Sequence, residues 1–295
     1  MDKSLSVLGK AKTSDVCLEP FPHIIVNDAL PEDIYAKLEA NFPPEGVLGV
    51  EFRSNNKRWD YDARNVAQNG SISSIWKDMI AYHTSDHFFQ QIADLFFEAI
   101  HRRYPLQFPS RDYMAAMRAG IRCVHSFRTA DVLMDAMISG NTPVRSATSV
   151  RTTHVDQGRK LYSGLFYMRR ADDDSIGGDL TISQLRPEYR DTRKRLKLFN
   201  KSYVDEKYVE TVKAVRYSRN TLVLFINTLD SLHGVTVRQP TPHGRYFMNL
   251  VGEVNPRLYR VPKVFRGNGS YGRLLRAAGE PRPLSIRLFE LVRNL

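Results

Sequence analysis

Thr153-His154-Val155-Asp156 places an imidazole and a carboxylate two residues apart in a β-rich part of the chain. Alternate side chains of an extended strand point to one side, so His154 and Asp156 would be presented together. A second histidine, His233, follows the strongest strand signal in the sequence, Leu222-Val223-Leu224-Phe225-Ile226. Two histidines and one carboxylate on a rigid scaffold make a facial set that binds iron(II) on one side and leaves coordination positions open. An HxD pair alone is a weak signal, because it arises by chance in many chains. His83 and His87 have the i, i+4 spacing of helical metal ligands, but Thr84 stands where the HExxH pattern has glutamate. They read as capping or surface residues.

The elements that must position these groups fall into two blocks. Before residue 118 the pattern is helical. Pro31, with Glu32 and Asp33 behind it, suits the first turn of a helix carrying Ile34, Leu38 and Phe42, which ends near Pro43-Pro44. Residues 45–70 are polar and predict irregular chain. Ile75, Trp76, Met79 and Ile80 share one face of a next helix; Thr84 or Ser85 caps another through Phe88, Ile92, Leu95, Phe96 and Ile100, stopping before Pro105. From about residue 120, short apolar runs broken by Gly, Asn, Asp and Pro predict strands at Arg122–Phe127, Leu133–Ile138, Ser149–His154, Ser163–Met168, Asp179–Ser183, Thr221–Ile226, Gly234–Arg238 and Arg245–Glu253. So many short strands without βαβ alternation predict a barrel or double-sheet jelly roll.

In this block the chain resembles the 2-oxoglutarate/iron(II) oxygenases, in particular their prolyl-4-hydroxylase-like branch. The ordered motifs are His154-Val155-Asp156, Leu165-Phe166-Tyr167-Met168, Gly177-Gly178-Asp179-Leu180, His233-Gly234-Val235 and Gly244-Arg245-Tyr246-Phe247. Pro20-Phe21-Pro22-His23-Ile24-Ile25-Val26 with its Leu30-Pro31 helix start is similar to the family's N-terminal entry. The resemblance covers roughly residues 20–45 and 145–255 and is specific as a set. It implies an α+β protein with a mainly β core, a double-stranded β-helix (jelly-roll, cupin-like) with N-terminal supporting helices. It also implies Fe(II) held by His154, Asp156 and His233, with 2-oxoglutarate and O2 as cosubstrates. Arg245 matches the residue that pairs with the distal carboxylate of 2-oxoglutarate, and Tyr167 the tyrosine that touches it. The turn between His233 and Arg245 is longer than the family leads one to expect, which leaves Arg238 as a rival anchor. Phe247 stands where many relatives carry a small hydroxyl residue, and His243 is a candidate substrate contact. The acid of Gly177-Gly178-Asp179 is expected to serve the turn rather than catalysis. An intact Asp156 favours hydroxylation over halogenation, because halogenating relatives leave that ligand position small.

The implied reaction is hydroxylation of an unactivated C–H bond with release of succinate and CO2. The expected substrate is a small molecule or biosynthetic intermediate, with a peptidyl, prolyl-type hydroxylase as the alternative. A non-oxygenase, cupin-like metal protein and a basic nucleic-acid-binding protein are further alternatives. The net charge of +11 and sequence pI near 9.6 favour an anionic substrate. A nucleic-acid partner is not expected, since no basic-aromatic ladder accompanies the charge. Hydrophobic and charged fractions of 42% and 25% are those of a globular protein. No apolar run approaches the roughly 20 residues that span a bilayer, and the first residues lack the apolar stretch of a secretory signal; a cytoplasmic location is expected. Cys17 and Cys123 form no CxxC pair and are expected as buried, reduced thiols. The expected organisation is a loose leader over 1–18 and one oxygenase domain over 19–255. That domain divides into a helical part, 19–118, and a jelly-roll core, 119–255, with a basic insertion at 185–213. A basic extension over 256–295 follows, closed by a short helix from Pro283.

Overall fold

The computed structural model describes residues 2–50, 53–191, 195 and 197–261. The insertion's Arg193 and Lys194, and the extension beyond 261 with its expected helix, lie outside the described residues.

The helical part runs β1 (His23–Val26), α1 (Glu32–Ala40), α2 (Glu45–Leu48), β2 (Arg58–Tyr61), α3 (Ala63–Gln68), α4 (Ser74–His83), α5 (Asp86–Arg103) and α6 (Arg111–Ala115). Then come β3 (Ala119–Ile121), β4 (Val132–Asn141), β5 (Lys160–Tyr167), β6 (Leu180–Leu185), β7 (Phe199–Asn200), β8 (Tyr203–Val204), β9 (Val209–Val215), β10 (Thr221–Ile226), β11 (Leu232–Val235) and β12 (Arg245–Val254). The larger sheet has the order β1-β10-β5-β12-β4-β2, with β3 alongside β4. The smaller runs β11-β6-β9. Antiparallel pairing predominates, and the two sheets face each other as in a jelly roll.

Strict alternation divides the larger sheet's side chains. On β12, Tyr246, Met248 and Leu250 join Met134, Ala136 and Ile138 of β4 and Leu222 and Leu224 of β10 in a core shared with the helices. Phe247 of β12 points the other way, with Tyr167 of β5 and Val223 and Phe225 of β10, against Leu180, Ile182 and Val215 of the smaller sheet. One face of the sheet is therefore a hydrophobic seat for the helices, and the other closes over the site.

The helices form where periodicity and caps agree. Ser85 accepts from the Phe88 N–H at the start of α5, Asp86 sits in its first turn and His101, Arg102 and Arg103 in its last, matching the helix dipole. Its Phe88, Phe89, Ile92, Phe96 and Ile100 are buried, each contributing roughly 1.5–3 kcal/mol by leaving water.

Five expectations need correction. Residues 3–8 of the leader are packed, not loose: Leu5, Val7 and Leu8 are buried against the helical core, because they supply an apolar patch within a polar segment. Among the described residues of 45–70 the chain is not all irregular: β2 forms there by pairing with β4, a tertiary partnership that local polarity conceals. Arg122–Phe127 is not a strand; β3 ends at Ile121 and the chain turns at Cys123, whose φ is 65°. Cys17 and Cys123 are exposed rather than buried. Finally, part of the expected insertion is sheet, since β9 pairs along β6.

His83 ties the leader down. Its Nδ1 lies 2.8 Å from the Met79 carbonyl and must donate, so Nε2 is free to accept from the Val7 N–H at 3.2 Å. Burial pushes its pKa down to about 4. The unfolded chain, with an ordinary histidine near 6.5, then binds this proton more readily than the folded one. Stability is expected to fall by up to about 1.4 kcal/mol per pH unit for this group as pH drops from 6.5 toward 4. In urea denaturation across that window, His83→Gln, which keeps an acceptor for Val7, is expected to remove that part of the slope.

Candidate active site

His154 and His233 meet through their backbones. Each donates its N–H to the other's carbonyl at 2.9 Å, as directly opposed residues of an antiparallel pair do. Opposed residues send side chains to the same face, and the imidazole centroids lie 4.2 Å apart. The bridge Thr148↔Arg238 and the bond from Val235 N–H to the Arg151 carbonyl continue this pairing. Residues 149–154, expected as a strand, thus flank β11 through isolated bridges. Val155 turns away into a small cluster with Leu185, Phe199, Val204 and Leu232, while Asp156 returns to the histidine side.

The donor set suits a divalent metal. Ligand atoms of His154, Asp156 and His233 lie within 4.8 Å of one another, and all three residues are buried. His154 Nδ1 contacts the Thr152 carbonyl and His233 Nδ1 the Ser231 carbonyl, both at 2.8 Å. A carbonyl only accepts, so each Nδ1 carries the proton and each Nε2 presents a lone pair inward. The buried His154 Nε2 has no hydrogen-bond partner among the described residues, and Asp156 Oδ1 is 3.9 Å from it. An orphaned imidazole nitrogen beside a carboxylate and a second free imidazole is what a metal ion would satisfy. Burial and the neighbouring His233 and Arg151 hold His154 well below its ordinary pKa. Burial likewise lowers His233, which favours the neutral form of both imidazoles.

Asp156 is crowded with donors. Its Oδ2 accepts from Ser163 Oγ at 2.7 Å and Lys160 Nζ at 3.1 Å, and its Oδ1 lies 3.5 Å from Arg151 Nη1. Asn227 Nδ2 donates to Ser163 Oγ at 2.9 Å, which fixes that hydroxyl. Burial alone would raise the carboxyl, but Lys160, His233, His154 and Arg151 together hold it far below the usual range.

The two candidate anchoring arginines differ in what occupies them. Arg238 donates to Asn56 Oδ1 at 3.0 Å and to the Thr142 and His243 carbonyls at 3.2 and 2.8 Å. Burial, with Arg245 beside it, pushes it down to about 10. It is a backbone clamp outside the cavity. Arg245 lines the same cavity as the three ligands. It is 2% exposed, and its hydrogen bonds are long ones to neutral groups, Tyr167 Oη at 3.2 Å and Asn141 Oδ1 at 3.4 Å. Its Nε and Asn141 Nδ2 lack partners, and no carboxylate pairs with it among the described residues. Tyr167, Tyr217 and Phe247 surround it at 4.8–5.2 Å. His243 faces away, 3.6 Å from the exposed Asp174. Gly178 permits this packing: its φ is +86°, and a Cβ there would come within 3.1–3.2 Å of both arginine side chains. Asp179 accepts from the Tyr217 N–H at 2.8 Å, a turn-holding role.

The cavity measures about 320 Å³ and is also lined by Arg58, Arg122, Arg151, Lys160 and Ser163, none of which sequence reasoning singled out. A usable signal existed for three of them: Arg151 and Lys160 bracket the HxD pair, and Ser163 shares the inward face of β5 with Tyr167. A second hollow of about 440 Å³ lies beside α5. Its Arg103 and Arg195 are spent on Asp230, its Arg190 on Glu210, and it holds none of the metal-ligand set.

No family model matches the chain, and no curated protein sequence does. Solved structures similar to it include a prolyl-4-hydroxylase of Pseudomonas putida, at 11% identity and TM-score 0.42, covering 79% of this chain and 93% of that one. A dioxygenase for auxin oxidation from rice is similar at 11% identity and TM-score 0.43, covering 88% and 86%. HygX from Streptomyces hygroscopicus, solved with nickel and 2-oxoglutarate, is similar at 9% identity and TM-score 0.37, covering 79% and 82%. No helix among the described residues is long and apolar enough to cross a membrane.

Ser163→Ala is expected to leave Asp156 Oδ2 to Lys160 alone and to weaken Mn(II) binding by roughly 10–100-fold, as loss of outer partners of metal ligands does. Isothermal titration calorimetry measures it; unchanged affinity would remove Ser163 from the metal site.

Proposed function

We propose that the protein is an iron(II)- and 2-oxoglutarate-dependent dioxygenase that hydroxylates an unactivated C–H bond. One observation carries the reading: a two-histidine, one-carboxylate set shares a cavity with a buried guanidinium that has no acidic partner among the described residues. A buried, uncompensated arginine is costly. A small organic acid beside the metal relieves that cost by supplying its carboxylate.

In this reading His154, Asp156 and His233 would hold the metal. Arg245 would pair with the distal carboxylate of 2-oxoglutarate through charge-assisted hydrogen bonds. Tyr167 Oη and the side chain of Asn141, already touching Arg245, complete that cradle. Ferrous iron with bound 2-oxoglutarate supplies the dioxygen chemistry, turning a substrate C–H into an alcohol with release of succinate and CO2. The chain's own part is orientation and exclusion. Carbonyl-tied imidazoles keep their lone pairs aimed, Ser163 restrains the carboxylate, and Phe225, Leu165 and Leu180 add apolar wall to the cavity. The cavity volume suits a metabolite; a small molecule is the favoured substrate over a peptide.

The test is anaerobic titration of the iron(II)-loaded protein with 2-oxoglutarate, read by the weak visible charge-transfer band of that complex. A saturating band is expected, and its absence from iron-loaded protein refutes the reading. Arg245→Gln is expected to weaken 2-oxoglutarate at least ~30-fold, the loss of a buried charge pair. Arg238→Gln is expected to lower the melting temperature instead. Asp156→Ala is expected to abolish succinate formation.

A further inference from the structure

The cavity holds more positive charge than a metal and its cosubstrate account for. Arg58 is matched by Asp60, Nη2 to Oδ1 at 2.8 Å, and Arg122 by Asp135 and Glu253 at 3.2 and 3.1 Å. Arg151, Lys160 and Arg245 remain, and the one carboxylate facing them is Asp156. That carboxylate is also the metal ligand. Asp156 against the three cations leaves two positive charges over, and the second acid on Arg122 lowers the surplus around the cavity to one. A divalent metal adds two and a dianionic cosubstrate removes two, so a positive surplus would persist in the loaded site.

Its location is specific. Once a metal draws on Asp156, Arg151 and Lys160 lose most of their counter-charge. Ser163 already supplies a neutral hydrogen bond to Oδ2, so orienting the carboxylate does not require two further cations. Two cations on one ligand would also weaken it as a donor. The Lys160 side chain is 19% exposed and that of Arg151 37%, so both stand at the cavity wall where a molecule entering from solvent meets them.

We propose that the substrate is a small acid, and that its carboxylate or phosphate docks between Arg151 and Lys160 beside the metal. The proposal rests on the dioxygenase reading and adds the substrate class to it. The guanidinium offers a planar fork and the ammonium a point charge, a pairing that suits an oxyanion. The anionic group fixes one end of the molecule, leaving a nearby carbon to face the metal.

The test uses the full-length protein, in excess over Mn(II), with 2-oxoglutarate bound. Inorganic phosphate and acetate are titrated separately, and their 31P and methyl 1H relaxation is followed, since Mn(II) accelerates relaxation of nearby nuclei. One of the two anions is expected to show saturable acceleration, which also tells phosphate from carboxylate. Arg151→Gln and Lys160→Gln are each expected to weaken that anion about tenfold or more, roughly 1.4 kcal/mol, and Lys160→Arg to restore most of it. If Mn(II) and 2-oxoglutarate bind, as seen in the Mn(II) EPR spectrum, yet neither anion responds, the substrate class is wrong and the dioxygenase reading stands. Acceleration that ignores both substitutions overturns the proposal equally. Failure of 2-oxoglutarate to alter the EPR spectrum overturns the dioxygenase reading and this proposal with it.

Discussion

Two backbone hydrogen bonds between His154 and His233 set the geometry on which the site depends. They belong to neither imidazole, yet they decide that both rings emerge on one face, a ring's width apart. Side-chain contacts then refine what the backbone has imposed: carbonyls fix the tautomers, and Ser163 restrains the carboxylate. Because the pairing is extended by β11 against β6, the smaller sheet acts as a mounting plate for the ligands. The larger sheet supplies the opposite wall and the buried Arg245.

The division of labour within the larger sheet follows from its period of two. Tyr246, Met248 and Leu250 secure the helices, whereas Arg245 and Phe247, one residue out of phase, face the cavity side. A slip of one residue in β12 would exchange these roles, burying the guanidinium among the helices and exposing the cavity to apolar side chains. The ten-residue register with β4, reinforced by β5 on the other side, makes such a slip costly.

Much of this was legible in the sequence where chemistry and periodicity coincided. The strands bearing Tyr167, Phe225 and Arg245, and the helix of Phe88 to Ile100, announce themselves through alternation or three-to-four spacing. The juxtaposition of His154, Asp156 and His233 was legible from an ordered set of motifs rather than from single residues. What stayed hidden depends on partners distant in the chain. β2 exists because β4 offers an edge; the leader packs because His83 accepts from Val7. Arg151 and Lys160 bracket the HxD pair in the sequence, but it is the fold that turns both toward Asp156. The motif order favoured Arg245 and the long turn left Arg238 as a rival; their hydrogen-bond partners and their places relative to the cavity differ only in the fold.

The hairpin of β7 and β8 lies along the outer side of the ligand-bearing segment. Val155 donates to the Ser202 carbonyl, Val204 donates to the Thr153 carbonyl, both at 2.9 Å, and the Tyr203 ring tilts over His154. Without it, residues 153–155 would offer unpaired amides and carbonyls at a sheet margin, the kind of border that recruits a strand from another molecule. A stretch that reads in the sequence as a charged interruption therefore serves as a selvedge, finishing the edge of the fabric at the point where the ligands hang from it.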